Sequence, residues 1–188
     1  MYGSMYFIIG FMGAYKTDDL GFTVGQVQII NTVGILFRFA ISKPFGRLSD
    51  RTSYATGLLI GFSVLALAFM LNMFTSPSTR WLIIPYSLLY NGSMALIMQN
   101  FINITFTYVE SKYFVQATSI KAAVSGICGF LASLAGAAIL DVVRANGNVV
   151  LGINLRAQQL LSAISFVLVM LLIAFIVFVL KKQKKIEE

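Results

Sequence analysis

Residues 24–42, 54–74, 81–107, 114–140 and 155–180 form five stretches long and apolar enough to cross a bilayer. A spanning helix needs about 20 apolar residues to cross roughly 30 Å of hydrocarbon. The interiors of these stretches carry one formal charge, Arg38, while Lys121 and Arg156 lie nearer span ends. In lipid every backbone polar group must be satisfied within the protein, which leaves helices or closed barrels. Segments of this length and apolarity predict helices. The chain is 58% hydrophobic and 11% charged, whereas a soluble domain is about 45–50% apolar and about 25% charged. Such a chain lacks the polar side chains to cover a water-facing surface.

A further apolar stretch, residues 1–15, is too short for a full crossing by about a turn and a half. It lacks the basic flank and small-residue cleavage site of a signal peptide. It reads as the later part of a helix that starts upstream. The expected fold is therefore all-α, a single transmembrane half-domain of six helices over residues 1–188, with residues 181–188 as a tail. Six crossings place both ends on one side of the membrane.

The charge pattern gives that side a name. The chain has 14 Lys+Arg against 7 Asp+Glu, a net charge of +7. Arg38, Lys43, Arg47, Arg51, Lys112, Lys121, Lys181, Lys182, Lys184 and Lys185 all fall on the side of the two ends. Lys16, Arg80, Arg144 and Arg156 fall on the other, with Asp18, Asp19 and Asp141. The positive-inside bias makes the first side cytoplasmic, in the plasma membrane. The basic balance is thus a topology signal and not a nucleic-acid footprint.

Enzymatic tools are scarce. There is no His, the commonest general base and metal ligand, and one Cys, Cys128, expected to be an inert thiol in apolar surroundings. No enzyme activity, cofactor or metal is expected. The membrane-embedded acid of a proton relay is also missing from the spans, since Asp18, Asp19, Glu110 and Asp141 fall at ends or in loops.

The turn expected between the second and third spans reads Lys43-Pro44-Phe45-Gly46-Arg47-Leu48-Ser49-Asp50-Arg51-Thr52-Ser53-Tyr54. Gly46 permits close backbone approach. Asp50 suits a helix N-terminus, and Arg47 and Arg51 can pair with a carboxylate or a helix C-terminus. Together these four would form a latch that holds in one conformation and breaks in another. The pattern Gly-x-x-x-Asp-Arg in this loop resembles the signature of the major facilitator superfamily of secondary transporters. Gly46, Asp50 and Arg51 match; Ser53 stands where the family has a second glycine, and Tyr54 and Ala55 replace two basic residues. A degenerate copy of this kind is usual in the family's second six-helix half. The resemblance implies the C-terminal half of a twelve-helix transporter, built as two inverted three-helix repeats. The solute site would lie between the halves, worked by alternating access. Partners would be a small-molecule solute, the bilayer, and either the N-terminal half or a second copy. A self-pairing half-transporter and a non-transporting membrane scaffold or sensor are the alternatives.

Polar residues fall into helical stripes, using about 100° per residue. Gln28, Asn31, Arg38 and Ser42 share one face of the second span. Polar groups facing lipid are costly, so this face should meet protein or water. Arg38 either snorkels to the interface or enters a cavity. Tyr86, Tyr90, Ser93 and Asn100 share a face of the fourth span, and Tyr2 and Tyr6 share one in the first. The resemblance makes these two helices cavity-lining and these residues solute-contact candidates; interhelical packing is the alternative. Gln158, Ser162 and Ser165 stripe the last span and fit interhelical hydrogen bonds. Thr118, Ala122, Ser125, Gly129, Ala132, Ser133 and Gly136 form a small-residue stripe in the fifth. That stripe is either a sliding interface with another half or permanent packing within this one. Asn91 and Asn103 head glycosylation patterns, but both fall within or at the end of a span and are discounted.

Overall fold

The computed structural model describes residues 2–150 and 153–179, except for the side chains of Tyr2, Val150, Ile153 and Asn154. Six α-helices follow one another: α1 Tyr2–Ala14, α2 Val24–Arg51, α3 Tyr54–Met73, α4 Ile83–Tyr108, α5 Phe114–Ala145 and α6 Ala157–Phe178. Five of them, α2 to α6, are long and apolar enough to cross a membrane. Helix α1, with 13 described residues, spans about 20 Å and is shorter than a full crossing. A two-residue antiparallel pairing, Val149–Val150 with Ile153–Asn154, closes the α5–α6 connection. Between α5 and this pairing, Gly147 and Asn148 take positive φ, a backbone region that both residue types tolerate.

Boundaries depart from expectation at two helices. Helix α2 does not end near Ser42 but runs to Arg51, about 42 Å in all. Pro44 lies inside it and is exposed. A proline frees the carbonyl four residues earlier, here that of exposed Ala40. Likewise α5 reaches Ala145, shortening the loop expected from Asp141. The tail lysines 181–185 lie outside the described residues.

Packing is centred on α3 and α4. Leu58, Phe62, Leu65 and Phe69 of α3 meet Ile83, Ile97 and Met94 of α4 in one buried cluster. Phe62 also sets its ring edge against Phe101, with centroids 6.3 Å apart. Helix α4 packs on α2 and α3, α1 packs on α5 and α6, and α3 packs on α6. By contrast α2 and α5 turn wide apolar faces outward, including Val33, Leu36 and Phe39 on the first and Val124, Phe130 and Leu134 on the second.

The small-residue stripe of α5 finds its partner within this chain. At Gly129 a Cβ would lie 3.0 Å from the Tyr6 ring, and at Gly136 3.1 Å from the Phe7 carbonyl. Ala132 is buried between them, and the Ser133 hydroxyl donates to the Tyr6 carbonyl at 3.5 Å. Small residues let the backbones of α1 and α5 approach, as expected for helix pairs in lipid. Farther along, Ala122 is exposed and Thr118 and Ser125 are half-buried.

Buried polar groups tie the elements together. Asn72 of α3 donates to Ser162 of α6 at 2.7 Å. Gln158 of α6 donates to the Ile8 carbonyl of α1 at 3.4 Å. The Tyr15 hydroxyl and the Gln159 amide both donate to the Thr75 carbonyl, at 2.8 and 3.1 Å. Such bonds between membrane helices are worth about 1–2 kcal/mol at most. The α6 stripe is thus a hydrogen-bonding seam, with Ser165 buried beside it.

The two ends of the bundle carry different chemistry. At one, termed the Asp19 end, Asp19, in the turn after α1, meets Arg156, just before α6, at 3.1 Å and Arg144 of α5 at 3.6 Å. There too Phe22 and Trp81 stack edge to face at 5.7 Å, with the Arg80 guanidinium 5.5 and 5.2 Å from the two rings. The opposite Asp50 end holds the α2–α3 junction.

Candidate functional site

The site begins where α1 ends. After Ala14 the chain makes one π turn, Tyr15–Asp19, in which the Leu20 amide donates to the Tyr15 carbonyl. Gly21, at φ +69°, then reverses the chain. Such wide turns often mark functional positions. Here the turn aims Tyr15 at α3 and Lys16 at α2. Lys16 is 4% exposed, and its ammonium donates to Asn31 Oδ1 at 2.8 Å. Burial holds the lysine below its usual proton affinity.

Helices α1, α2 and α4 line a partly open cavity of about 230 Å³ beside this pair. Ile9, Met12 and Gly13 of α1 give it an apolar wall, and Tyr86, Ser87, Tyr90 and Asn91 of α4 face them. The Tyr86 and Tyr90 ring centroids lie 5.9 Å apart, within the range of favourable ring pairs. Asn91 donates to the Ser87 carbonyl at 2.8 Å. Arg38 is half-buried on α2 and does not line the cavity.

Of the solute-contact candidates, the structure brings Asn31, Tyr86 and Tyr90 together. The rest go elsewhere. Gln28 is exposed on α2 and does not line the cavity. Tyr6 packs against Gly129 and is 40% exposed. Ser93 is fully buried and donates to the Tyr90 carbonyl at 2.7 Å. Asn100 is sealed at the junction of α2, α3 and α4, donating to Ser49 Oγ at 2.9 Å and the Leu96 carbonyl at 2.8 Å. Tyr2's side chain lies outside the described residues. Lys16, Ser87 and Asn91 were missed by sequence reasoning. Lys16 carried a signal, a lone base after an apolar stretch, but the π turn that buries it leaves no mark in composition.

The expected latch loop is not a loop. Gly46, Arg47, Asp50 and Arg51 all lie on the last turns of α2. The close approach expected of Gly46 is present: a Cβ there would fall 2.7 Å from Gln99 Nε2 of α4. Capping goes differently, because Ser53 and not Asp50 caps α3, accepting from the Thr56 amide at 3.1 Å. Ser53 is the residue at the divergent glycine position. Arg47, Asp50 and Arg51 are exposed, and among the described residues none of them forms an ion pair. Cys128 is exposed on α5. It lines a larger, mostly apolar groove of about 790 Å³ between α1, α4, α5 and α6, together with Lys121.

Comparison with known proteins supplies one further finding. Searches of curated proteins and of solved structures give no match. The model of the Major Facilitator Superfamily matches residues 1–188, the entire chain. Members of this family are membrane transporters of small solutes and not enzymes. Because the match covers the whole chain, it shows the family: the chain belongs to the major facilitator superfamily.

Proposed function

We propose that this chain is the C-terminal six-helix half of a transporter that moves a small solute by alternating access. The cavity between α1, α2 and α4 would form one wall of the central site. The observation that carries this reading is that cavity: buried Lys16, bonded to half-buried Asn31, facing the tilted ring pair of Tyr86 and Tyr90 inside an otherwise apolar bundle. Membrane interiors retain such groups where they serve a pathway.

Two further observations support the reading. Exchanging α1, α2 and α3 for α4, α5 and α6 turns the α2–α4 packing into α5–α1 and the α3–α4 packing into α6–α1. The α3–α6 pairing maps onto itself, as an inverted repeat requires. Moreover, α2 and α5 leave apolar faces uncovered, which is where the N-terminal half would dock. The basic Asp50 end is taken as cytoplasmic on the positive-inside bias, in the plasma membrane, with Arg47, Asp50 and Arg51 facing the other half as a latch.

The test is uptake of labelled solutes by the complete reading frame in proteoliposomes. Saturable uptake, cut at least tenfold by Tyr90→Ala, is expected. A product that binds solute and moves none would identify a sensor. Uptake by the six-helix chain alone would identify a self-pairing half-transporter.

A further inference from the structure

Among the described residues, no carboxylate forms an ion pair with Lys16, a base buried inside the bundle. Its acceptor, Asn31 Oδ1, is neutral. Of the acids next to it in sequence, Asp19 is held by Arg156 and Arg144 at 3.1 and 3.6 Å. Asp18 is exposed and accepts from the Thr17 hydroxyl at 2.7 Å. Among the described residues, no carboxylate lines the cavity. The polar groups facing Lys16 are Asn31 from α2 and Tyr86, Ser87, Tyr90 and Asn91 from α4. Arg38, half-buried farther along α2, is positive as well.

An ammonium has three donors, and Asn31 takes one. A charge withdrawn from water is costly unless it is paired. An acidic group entering the cavity would supply both the missing acceptors and the missing charge. A cationic solute would meet Lys16 with no acid, among the described lining residues, to offset it. The rest of the wall is apolar or aromatic, formed by Ile9, Met12, Tyr86 and Tyr90. At about 230 Å³ the cavity is smaller than the roughly 300–1,000 Å³ of drug-sized sites.

Resting on the transport reading above, we propose that Lys16 is the charge-binding residue of the solute site. The solute is then a small organic anion, its acidic group on Lys16 and its apolar body against Met12, Tyr86 and Tyr90. Asn31 is the positioning residue, holding the ammonium toward the cavity.

Three probes of one shape and different charge test this: benzoate, benzamide and benzylamine. Thermal melting of the complete protein is measured with each. Benzoate should raise the melting temperature, while benzamide and benzylamine should leave it in place. Lys16→Met should weaken benzoate binding at least about tenfold, the low end for losing a hydrogen bond to a charged group. Lys16→Arg should keep most of it. The proposal is overturned if benzoate produces no shift, if benzylamine or benzamide matches it, or if the benzoate shift survives Lys16→Met. Should Lys16→Met fail to fold, the probe ranking in the unaltered protein still decides. Lys16-dependent benzoate binding without flux would keep the anion site and remove the transport reading. Flux of a neutral or cationic solute, unchanged in Lys16→Met, would do the reverse.

Discussion

At the Asp19 end the charges meet within this chain: one carboxylate receives two guanidiniums, from α5 and from just before α6. At the Asp50 end Arg47, Asp50 and Arg51 stand exposed, and the described residues offer them no ion pair. What holds that second end is packing and neutral hydrogen bonding, through Ser49, Gly57 and Asn100. The difference separates charges that serve the architecture of this half from charges left available to something outside it. It also separates two kinds of glycine, since Gly57 meets groups already fixed by hydrogen bonds whereas Gly46 meets the tip of a free side chain.

Gly57→Ala should therefore have the largest effect on stability. Its Cβ would fall 2.6 Å from Ser49 Oγ and 2.6 Å from Asn100 Nδ2, which already bond to each other. Overpacking of this kind costs about 1–3 kcal/mol, read as a clear drop in the melting temperature of the purified protein. Gly46→Ala is the paired control, because Gln99 can swing away. Equal losses in the two variants would show that the Asp50 end is not held at the Ser49–Asn100 junction.

A smaller effect is expected from Asp19→Asn, which breaks both ion pairs at the opposite end. The partners are a third to a half exposed, Arg156 33% and Arg144 49%, so solvent screens them and about 1 kcal/mol or less is at stake. Added salt should shrink the difference from the parent protein. A melting temperature that does not respond to Asp19→Asn at low salt would remove the clasp from the comparison.

The sequence made parts of this architecture legible and hid others for identifiable reasons. Hydropathy marks α2 to α6 because burial in lipid leaves no alternative to long apolar helices. It misplaced the end of α2 because Pro44 and Gly46 look like loop residues, yet both are accommodated within the helix. Helical spacing puts Tyr86, Tyr90, Ser93 and Asn100 on one arc of α4. An arc does not say what covers it, however, and α2 and α3 seal Asn100 while leaving Tyr86 and Tyr90 on the cavity. Asn31 was found because a polar group in an apolar helix needs a partner, but the identity of that partner, Lys16, depends on a π turn that no spacing rule announces. The small-residue stripe on α5 predicted close helix approach, and only the coordinates assign it to α1.

The smallest expected change in stability, and the sharpest test of the contrast, comes from Asp50→Asn. The side chain is exposed, does not cap α3 and forms no ion pair among the described residues. Removing its charge should leave the melting temperature and membrane insertion unchanged. If the carboxylate pairs with the other half in one conformation, the same change should slow solute flux several-fold while leaving equilibrium binding at the Lys16 cavity intact. Charge-preserving Asp50→Glu should recover part of the rate, because the pairing needs a negative group more than it needs a fixed length. Unchanged flux in Asp50→Asn would mean that the exposed charges at this end set membrane orientation alone, and that the latch must be sought elsewhere.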